Sequence, residues 1–374
     1  MLKKILLALF LFLQASAFAQ INAGFQFDGQ NRSYIVYTPA SYNPGTPVPL
    51  VFVLHGFTQS GQSIMNVSAF NSVADTANFI VVYPNGISNA WNTYANIPGA
   101  STANDIGFME ALIDTVSANY SIDQNRIYSC GFSAGGFMSH LLACKSSRCF
   151  AAIASVAGTM TDSVYNSCVP SYNLSVLQIH GTSDAIVSFN GGSGNKSAGE
   201  VVDFWKNYNG CYVTPIITPL PNTNLLDNST VDLLDYSPCL NNNLVKMLKV
   251  NGGGHQWPGT SSLLGGLGTI NRDIKASAEI WNFFRSNSCN STTQGINTST
   301  PNWIYLQPLS GNNYLLKGSV TNSVFQVYSA NGQLIESQNV SLPYTMNFNN
   351  YHSGMYLINV RSGNSHNTFK INKH

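Results

Sequence analysis

The sequence predicts an α/β domain with a mostly parallel sheet, followed by a small all-β domain. Between residues 25 and 288, short β-branched or aromatic runs alternate with stretches of helical periodicity, which is typical of a parallel sheet covered on both faces. From residue 303 to 374 the helical period is absent, and short alternating runs are separated by Asn-Gly and Ser-Gly turns. The second region therefore predicts a β-sandwich.

The first domain is predicted to span residues 20–288. Its strands are predicted at residues 48–54, 79–83, 126–130, 151–156, 176–180 and 244–250. Helices are predicted at residues 105–120 and 274–284, where apolar residues recur at helical spacing. Residues 289–302 are rich in Asn, Ser and Thr without periodicity, so we expect a linker there, followed by the β-sandwich at 303–374.

The first residues predict an export signal. Lys3 and Lys4 precede the apolar run 5–13, and small residues follow at 17–19. We therefore expect a signal peptide over residues 1–19, cleaved after Ala19. The apolar run is too short to cross a bilayer, and no later stretch is apolar enough. A net charge of +1, with 9% charged residues and no basic cluster, argues against nucleic acid or acidic membranes as partners.

The cysteines are expected to form disulfides, because export leads to an oxidising compartment. They stand at positions 130, 144, 149, 168, 211, 239 and 289. Cys144 with Cys149 would close a tight loop after a helix, and Cys211 with Cys239 would tie two strands, although spacing alone leaves the connectivity open. We expect Cys130, at the end of an apolar strand, to be buried and unpaired. The spacings do not match a zinc site, so no metal is expected.

The run Gly131-Phe132-Ser133-Ala134-Gly135 predicts a nucleophilic serine. Ser133 follows the predicted strand 126–130 and precedes a helix-like stretch at 136–143. This arrangement is the nucleophile elbow of an α/β-hydrolase fold, in which small flanking residues avoid clashes and the hydroxyl projects from the sheet edge. A Gly-rich turn without a catalytic role is the alternative.

A serine nucleophile needs a base and an acid, which follow it in this fold in the order Asp or Glu, then His. Among the seven histidines, His255 is best placed for the base, because it lies in a Gly-rich loop directly after the strand 244–250. Asp184 follows the strand 176–180 through a short turn and is the expected acid. Asp162 and Asp203 are rivals, in a loop and in a helix respectively.

Two backbone amides are expected to form the oxyanion hole. One belongs to Ala134, directly after the nucleophile, and the other to Phe57, in a His-Gly-Phe turn after the strand 48–54. His55 in that turn is expected to be a hydrogen-bonded structural residue. We expect Trp91 and Trp257 to line the acyl or aryl pocket, the latter because it shares a loop with His255.

These motifs together resemble the polyhydroxybutyrate depolymerase and feruloyl esterase group of carbohydrate esterase family 1. The resemblance covers residues 25–288 and rests on residues 54–56, 83–86, 105–108, 131–136, 180–184 and 252–259. It implies a serine esterase with Ser133, Asp184 and His255 as its triad and no cofactor. The implied substrate is a plant cell-wall polysaccharide ester or a polyester.

The same resemblance bears on three further features of the chain. The family pairs cysteines that bracket a Thr/Pro-rich stretch, which supports the Cys211–Cys239 disulfide. Many members carry a cysteine where this chain has Phe57, but the oxyanion donor is a backbone group and is retained. Depolymerases of insoluble polyester usually add a substrate-binding domain, and none is recognisable here.

The tail from Trp303 resembles the C-terminal sorting domain of the type IX secretion system of Bacteroidetes. The matching residues are 324–328, 331–332 and 354–357, before a basic end. The resemblance implies export by that machinery to the cell surface or medium, and a carbohydrate-binding sandwich is the alternative. For the whole chain, the rival functions are a serine peptidase with the same triad, disfavoured by the missing propeller or cap domain, and a non-catalytic carbohydrate-binding surface protein.

Overall fold

The chain divides into two units, Met1–Asn290 and Ser291–His374, and the division falls within the predicted linker. The computed structural model describes residues 20–94, 99, 101–192, 194–239, 242–262, 266–289, 304–308, 312–318, 322–362 and 365–373. The predicted signal peptide and most of the predicted linker, with Trp303, lie outside the described residues.

A ten-stranded sheet forms the centre of the first unit. Its strands are β1 (Gln20–Phe27), β2 (Gln30–Tyr37), β3 (Val48–Leu54), β4 (Ile80–Pro84), β5 (Ile122–Phe132), β6 (Ala152–Val156), β7 (Ser175–Gly181), β8 (Ile216–Pro219), β9 (Thr230–Asp235) and β10 (Val245–Asn251). Their order across the sheet is β1-β2-β4-β3-β5-β6-β7-β10-β9-β8.

The middle of this sheet is parallel and its two edges are antiparallel. Parallel pairing joins β4, β3, β5, β6, β7 and β10 in that order. The β1–β2 hairpin pairs antiparallel with β4, and the β8–β9 hairpin pairs antiparallel with β10. The carboxyl ends of the six central strands therefore lie along one edge of the sheet, where α/β folds place their ligand sites.

Helices cover both faces of the sheet. They are α1 (Gly61–Ser68), α2 (Phe70–Ala77), α3 (Asp105–Asn119), α4 (Ala134–Lys145), α5 (Asp162–Ser167), α6 (Ala198–Tyr208) and α7 (Ala276–Phe284). Successive side chains of a strand point to opposite faces, and β3 shows the result. Leu50, Phe52 and Leu54 enter the core beneath α3, α4 and α6, whereas Val51 and Val53 enter the core beneath α1, α2 and α7.

Disulfides join Cys144 to Cys168, Cys149 to Cys289, and Cys211 to Cys239, and Cys130 is buried and unpaired. The Cys211–Cys239 pairing and the unpaired Cys130 agree with the sequence. The predicted Cys144–Cys149 pairing is wrong. Cys144 is buried on α4, in the core where Cys168 also packs, whereas Cys149 bonds to Cys289, which packs against the core on the opposite face.

The described residues contain neither a recognisable metal site nor a membrane-spanning helix. No group of His, Cys, Asp and Glu among them has the arrangement of a metal site. No helix among them is long and apolar enough to cross a membrane.

The second unit consists of antiparallel strands, as the sequence predicts. A three-stranded sheet contains β11 (Ile304–Pro308), β12 (Asn313–Gly318) and β15 (Tyr344–Asn347), and a four-stranded sheet contains β13 (Asn322–Ser329), β14 (Leu334–Ser341), β16 (Gly354–Ser362) and β17 (Ser365–Lys373). Leu316 of β12 and Met346 of β15 share one apolar core with Phe325, Phe348 and Ile358. This common core is the arrangement of a small β-sandwich.

Candidate active site

Ser133 occupies a sharp turn between β5 and α4. Its φ of 53° and ψ of −118° lie outside the regions that non-glycine residues ordinarily adopt, and such backbone strain clusters at functional sites. The Ser133 N–H donates to the Val156 carbonyl oxygen at 2.9 Å, and the Ser133 carbonyl accepts from the Gly136 N–H at 2.8 Å. A Cβ on Gly135 would overlap the Leu54 carbonyl oxygen, so the tight approach of α4 to β3 requires glycine there.

Asp184 lies in the turn that follows β7, and its side chain is buried. Its Oδ1 accepts from the backbone N–H groups of Ile186 at 2.9 Å and Val187 at 2.8 Å, and its Oδ2 accepts from His255 Nδ1 at 2.8 Å. Burial alone would raise the pKa of Asp184, but hydrogen bonds from His180, His255 and the Val187 amide outweigh it and hold that pKa far below its ordinary range. The carboxylate is therefore ionised at neutral pH.

His255 lies in the loop between β10 and α7, and this loop is tied to the turn that carries Asp184. The His255 N–H donates to the Leu267 carbonyl at 2.7 Å, and the Ser183 N–H donates to the Gly253 carbonyl at 2.9 Å. The imidazole packs against the ring of Phe132 with a centroid distance of 4.9 Å. Since Asp184 receives the Nδ1 proton, the neutral imidazole presents an unprotonated Nε2 that can accept a proton.

The three predicted triad residues therefore follow β5, β7 and β10, at the carboxyl ends of strands in the parallel part of the sheet. The rival acids lie elsewhere. Asp162 begins α5 and pairs with Lys196 at 3.0 Å, and Asp203 lies on α6 and pairs with Lys206 at 2.6 Å. Neither carboxylate bonds to a histidine within the described part of the chain, which leaves Asp184 as the partner of His255.

The two predicted oxyanion donors lie on neighbouring segments. Ala134 is the first residue of α4, and the first amides of a helix have no acceptor within it. Phe57 follows β3 in a turn whose neighbouring amides are engaged, since the Gly56 N–H donates to Gln59 Oε1 at 3.0 Å and the Thr58 N–H donates to the Asn89 carbonyl at 2.9 Å. Across the described residues, no acceptor is found for the Phe57 or Ala134 amide.

His55 fixes the turn that carries Phe57. Its Nε2 accepts from the Gly86 N–H at 3.0 Å, so its Nδ1 carries the proton and donates to the Gly56 carbonyl at 2.7 Å. Burial lowers the pKa of His55 to about 4, which keeps the ring neutral. His55 is thus the hydrogen-bonded structural residue that the sequence suggested.

Trp91 and Trp257, which were predicted to line the acyl or aryl pocket, are both buried in the core, and their role toward a substrate stays a prediction. Trp91 donates from Nε1 to the His55 carbonyl at 2.9 Å and lies against the His55 ring at 4.7 Å. Trp257 donates to Ser277 Oγ on α7 at 3.2 Å and packs beneath α1, α2 and α7. The first indole supports the turn that carries Phe57, and the second anchors the loop that carries His255.

The structure contains a buried ion pair that the sequence did not reveal. Arg32 of β2 lies 2.6 Å from Asp105 Oδ1, and Asp105 Oδ2 accepts from the Asn92 N–H at 2.7 Å. The pair joins β2 to α3, and the Asn92 hydrogen bond ties the segment after β4 to the same helix. Only 9% of the residues are charged, so an aspartate at the start of the predicted helix 105–120 could have indicated a specific role for Asp105.

The strained serine elbow, the Asp184–His255 bond and the strand order define an α/β-hydrolase fold. Residues 32–192 match the family Esterase PHB depolymerase, and residues 304–373 match the family Secretion system C-terminal sorting domain. These matches confirm both resemblances noted from the sequence. The first match includes Ser133 and Asp184 and ends before His255.

Among curated relatives, the bifunctional acetylxylan esterase/xylanase XynS20E of Neocallimastix patriciarum is 28% identical over 231 residues, which are 61% of this chain and 31% of that protein. The protein named "Probable feruloyl esterase C" of Aspergillus oryzae is 33% identical over 168 residues, which are 43% of this chain and 58% of that protein. The chain thus spans less than two thirds of the length of either relative.

Among solved structures, an acetyl xylan esterase from Aspergillus awamori superposes with a TM-score of 0.51 at 15% identity. The superposition covers 71% of this chain and 98% of that one. At this identity the likeness concerns the fold alone.

Proposed function

We propose that this chain is an exported serine esterase that hydrolyses carboxylic esters through an acyl-enzyme on Ser133. The observation that carries the proposal is the 2.8 Å bond between Asp184 Oδ2 and His255 Nδ1, at the sheet edge that also holds the strained Ser133. A serine hydroxyl is a weak nucleophile until a base removes its proton. The Asp184 bond prepares His255 Nε2 for that task.

The reaction runs in two halves. Ser133 Oγ attacks the ester carbonyl as His255 Nε2 takes its proton, and Asp184 stabilises the resulting imidazolium. The amides of Phe57 and Ala134 donate to the oxyanion, each contributing about 10²- to 10³-fold in rate. His255 then protonates the departing alcohol. In the second half it deprotonates a water molecule, which releases the acid and restores Ser133.

The mechanism is tested with Ser133→Ala on p-nitrophenyl acetate and butyrate, with Ser163→Ala as a matched control because Ser163 lies exposed on α5. We expect Ser133→Ala to lose hydrolysis to background and to resist labelling by a fluorophosphonate probe, while Ser163→Ala behaves as wild type. Wild-type hydrolysis by Ser133→Ala would overturn the mechanism. Absence of labelling in the wild-type protein would instead support a non-catalytic binding protein.

The substrate class follows from the relatives, whose names describe acetylxylan and feruloyl esterases. We take acetyl and feruloyl esters of plant polysaccharide as the substrates. A panel of methyl ferulate, acetylated xylan, hydroxybutyrate oligomers and a peptide p-nitroanilide tests this. The first two should be hydrolysed with the highest kcat/KM, and a preference for the oligomers or the anilide would contradict the assignment.

Export is assigned to the two ends of the chain. Residues 1–19 act as the signal peptide, and the sorting domain at 304–373 directs the chain to type IX secretion and thus to the cell surface or medium. A reporter joined to residues 1–19 and 291–374 should leave a cell that has this machinery. The same reporter without residues 304–373 should remain inside the outer membrane, and its equal release would refute this route.

A further inference from the structure

A chain of buried polar side chains runs from α6 to the acid of the triad, and the proposed reaction does not use it. Trp205 Nε1 lies 3.2 Å from His140 Nδ1, His140 Nε2 lies 3.2 Å from Gln178 Oε1, and Gln178 Nε2 lies 3.1 Å from His180 Nδ1. All four side chains are buried in an otherwise apolar core. Buried polar groups are unfavourable unless each is satisfied, and a satisfied network is rigid.

The direction of every bond in this chain follows from its first member. An indole N–H can only donate, so His140 accepts at Nδ1 and carries its proton on Nε2. That proton goes to Gln178 Oε1, which leaves the Gln178 amide group to donate to His180 Nδ1. His180 is therefore held as the neutral tautomer that carries its proton on Nε2.

The Nε2 proton of His180 faces the acid of the triad. His180 Nε2 lies 2.8 Å from the Val187 carbonyl oxygen and 3.4 Å from Asp184 Oδ2. The Val187 N–H donates to Asp184 Oδ1 at 2.8 Å. Asp184 and His180 therefore bind the two backbone groups of the same residue, its N–H and its carbonyl. The turn after β7 is closed by these two contacts.

Gln178 extends the same support toward the nucleophile. Its amide group also donates to the Gly158 carbonyl at 2.7 Å. Gly158 lies directly against the Ser133 carbonyl oxygen, since a Cβ on Gly158 would lie 2.6 Å from it. The Gln178 amide thus bonds to His180, which faces Asp184, and to Gly158, which lies against Ser133.

We propose that His180 is a positioning residue for Asp184: its Nε2–H, oriented by Gln178 and by the His140–Trp205 pair behind it, holds the carboxylate in register with His255. The inference rests on the proposed esterase function. Because His180 is a neutral donor, it fixes Asp184 without cancelling its charge, and that charge stays directed at His255.

The test compares His180→Gln with His180→Asn. The glutamine amide nitrogen lies the same number of bonds from Cα as histidine Nε2, so His180→Gln retains the donor, whereas the shorter asparagine withdraws it. We expect His180→Asn to lower kcat for p-nitrophenyl acetate by about 10²-fold, the effect of misplacing a catalytic group by about 1 Å, with KM unchanged. His180→Gln should stay within about threefold of wild-type kcat, because its donor is in place.

Tyr128→Phe is the matched control, because Tyr128 also donates from a buried side chain to a backbone carbonyl, that of Asn287 at 2.6 Å. It should lower the melting temperature and leave kcat unchanged. If His180→Asn only lowers the melting temperature, as Tyr128→Phe does, His180 is structural and the proposal is wrong. Equal loss of kcat in folded His180→Gln and His180→Asn would also overturn it. Ser133→Ala separates the two hypotheses, since its activity reports on the esterase function alone.

Discussion

Replacing Asp184 by asparagine should invert the tautomer of His255 while leaving the surrounding turn in place. The asparagine oxygen can still accept from the Ile186 and Val187 amides that now bond to Oδ1. The opposite orientation would bring an NH₂ group against two buried N–H donors, at about 1–3 kcal/mol for each unsatisfied group. The NH₂ group therefore takes the place of Oδ2 and donates to His255 Nδ1. The Nε2–H of His180 retains its 2.8 Å bond to the Val187 carbonyl.

With Nδ1 acting as an acceptor, His255 must carry its proton on Nε2, where it cannot receive the proton of Ser133. Loss of the correct tautomer at a serine triad lowers kcat by about 10⁴-fold, which corresponds to about 5 kcal/mol in the activation free energy. Steady-state hydrolysis of p-nitrophenyl acetate measures this, with circular dichroism to show that the variant folds.

Asp203→Asn is the control for the Asp184 variant, since Asp203 is an exposed carboxylate on α6 that pairs with Lys206 and not with a histidine. Asp203→Asn should leave kcat unchanged, because Asp203 has no contact with the Asp184–His255 pair. A folded Asp184→Asn protein with kcat within about tenfold of wild type would refute the assignment of Asp184 as the acid.

Three other perturbations test separate parts of the structure. Trp91→Phe removes the indole donor to the His55 carbonyl and should lower kcat by about tenfold, less than the loss of a whole oxyanion donor; a rise in KM alone would instead indicate a pocket role. Replacing both Cys149 and Cys289 by serine opens a loop of 140 residues and should lower the free energy of urea unfolding by about 5 kcal/mol, and an unchanged midpoint would contradict this. Burial lowers the pKa of His55 and of His140 to about 4, so the unfolded chain binds these protons first as the pH falls. Stability should be complete above pH 6.5 and fall toward pH 4 by about 3 kcal/mol for each histidine, whereas a flat urea-unfolding profile over this range would exclude the effect.

The central strands were predictable because both faces of a parallel sheet are buried, which produces continuous apolar runs. The predicted strand at residues 48–54 coincides with β3, whose residues are all buried. The edge hairpins were missed for the opposite reason. β1 shows a mostly exposed pattern, and β8 is exposed throughout, so neither has the apolar run that marks a strand in a sequence.

The positions of the candidate triad residues were predictable because each of these residues follows a strand. Ser133, Asp184 and His255 each follow a strand, and parallel strands bring their carboxyl ends to one edge. The orientation of a side chain could not be predicted in this way, because it depends on the residues that pack against it. The indoles of Trp91 and Trp257 are apolar except for one N–H group each. Both N–H groups donate to acceptors inside the core, the His55 carbonyl and Ser277 Oγ.

The hydrogen-bonded side chains behind Asp184 were not predicted, for a related reason. Gln178 and His180 alternate with apolar residues along β7, so the sequence reads as one strand with two polar interruptions. Only the approach of α4 and α6 to that strand supplies the partners that make the pattern a hydrogen-bonded chain. Local sequence predicts β7 correctly and leaves the role of its polar face undetermined.

The two buried aspartates of the first unit differ in how their charge is compensated, and the difference fits a structural role for one and the proposed catalytic role for the other. Among the described residues, these are Asp105 and Asp184. Asp105 faces the permanent cation of Arg32, so its charge is matched within the resting fold. Asp184 receives its side-chain hydrogen bonds from two imidazoles, which carry charge only when protonated. Hydrogen bonds from the Ile186 and Val187 amides and from His255 stabilise the Asp184 anion at rest. In the proposed reaction it gains a full counterion when His255 takes the proton of Ser133. In the proposed mechanism this additional ion-pair stabilisation develops only as the charge develops on His255, which is the condition for lowering a barrier instead of tightening the ground state.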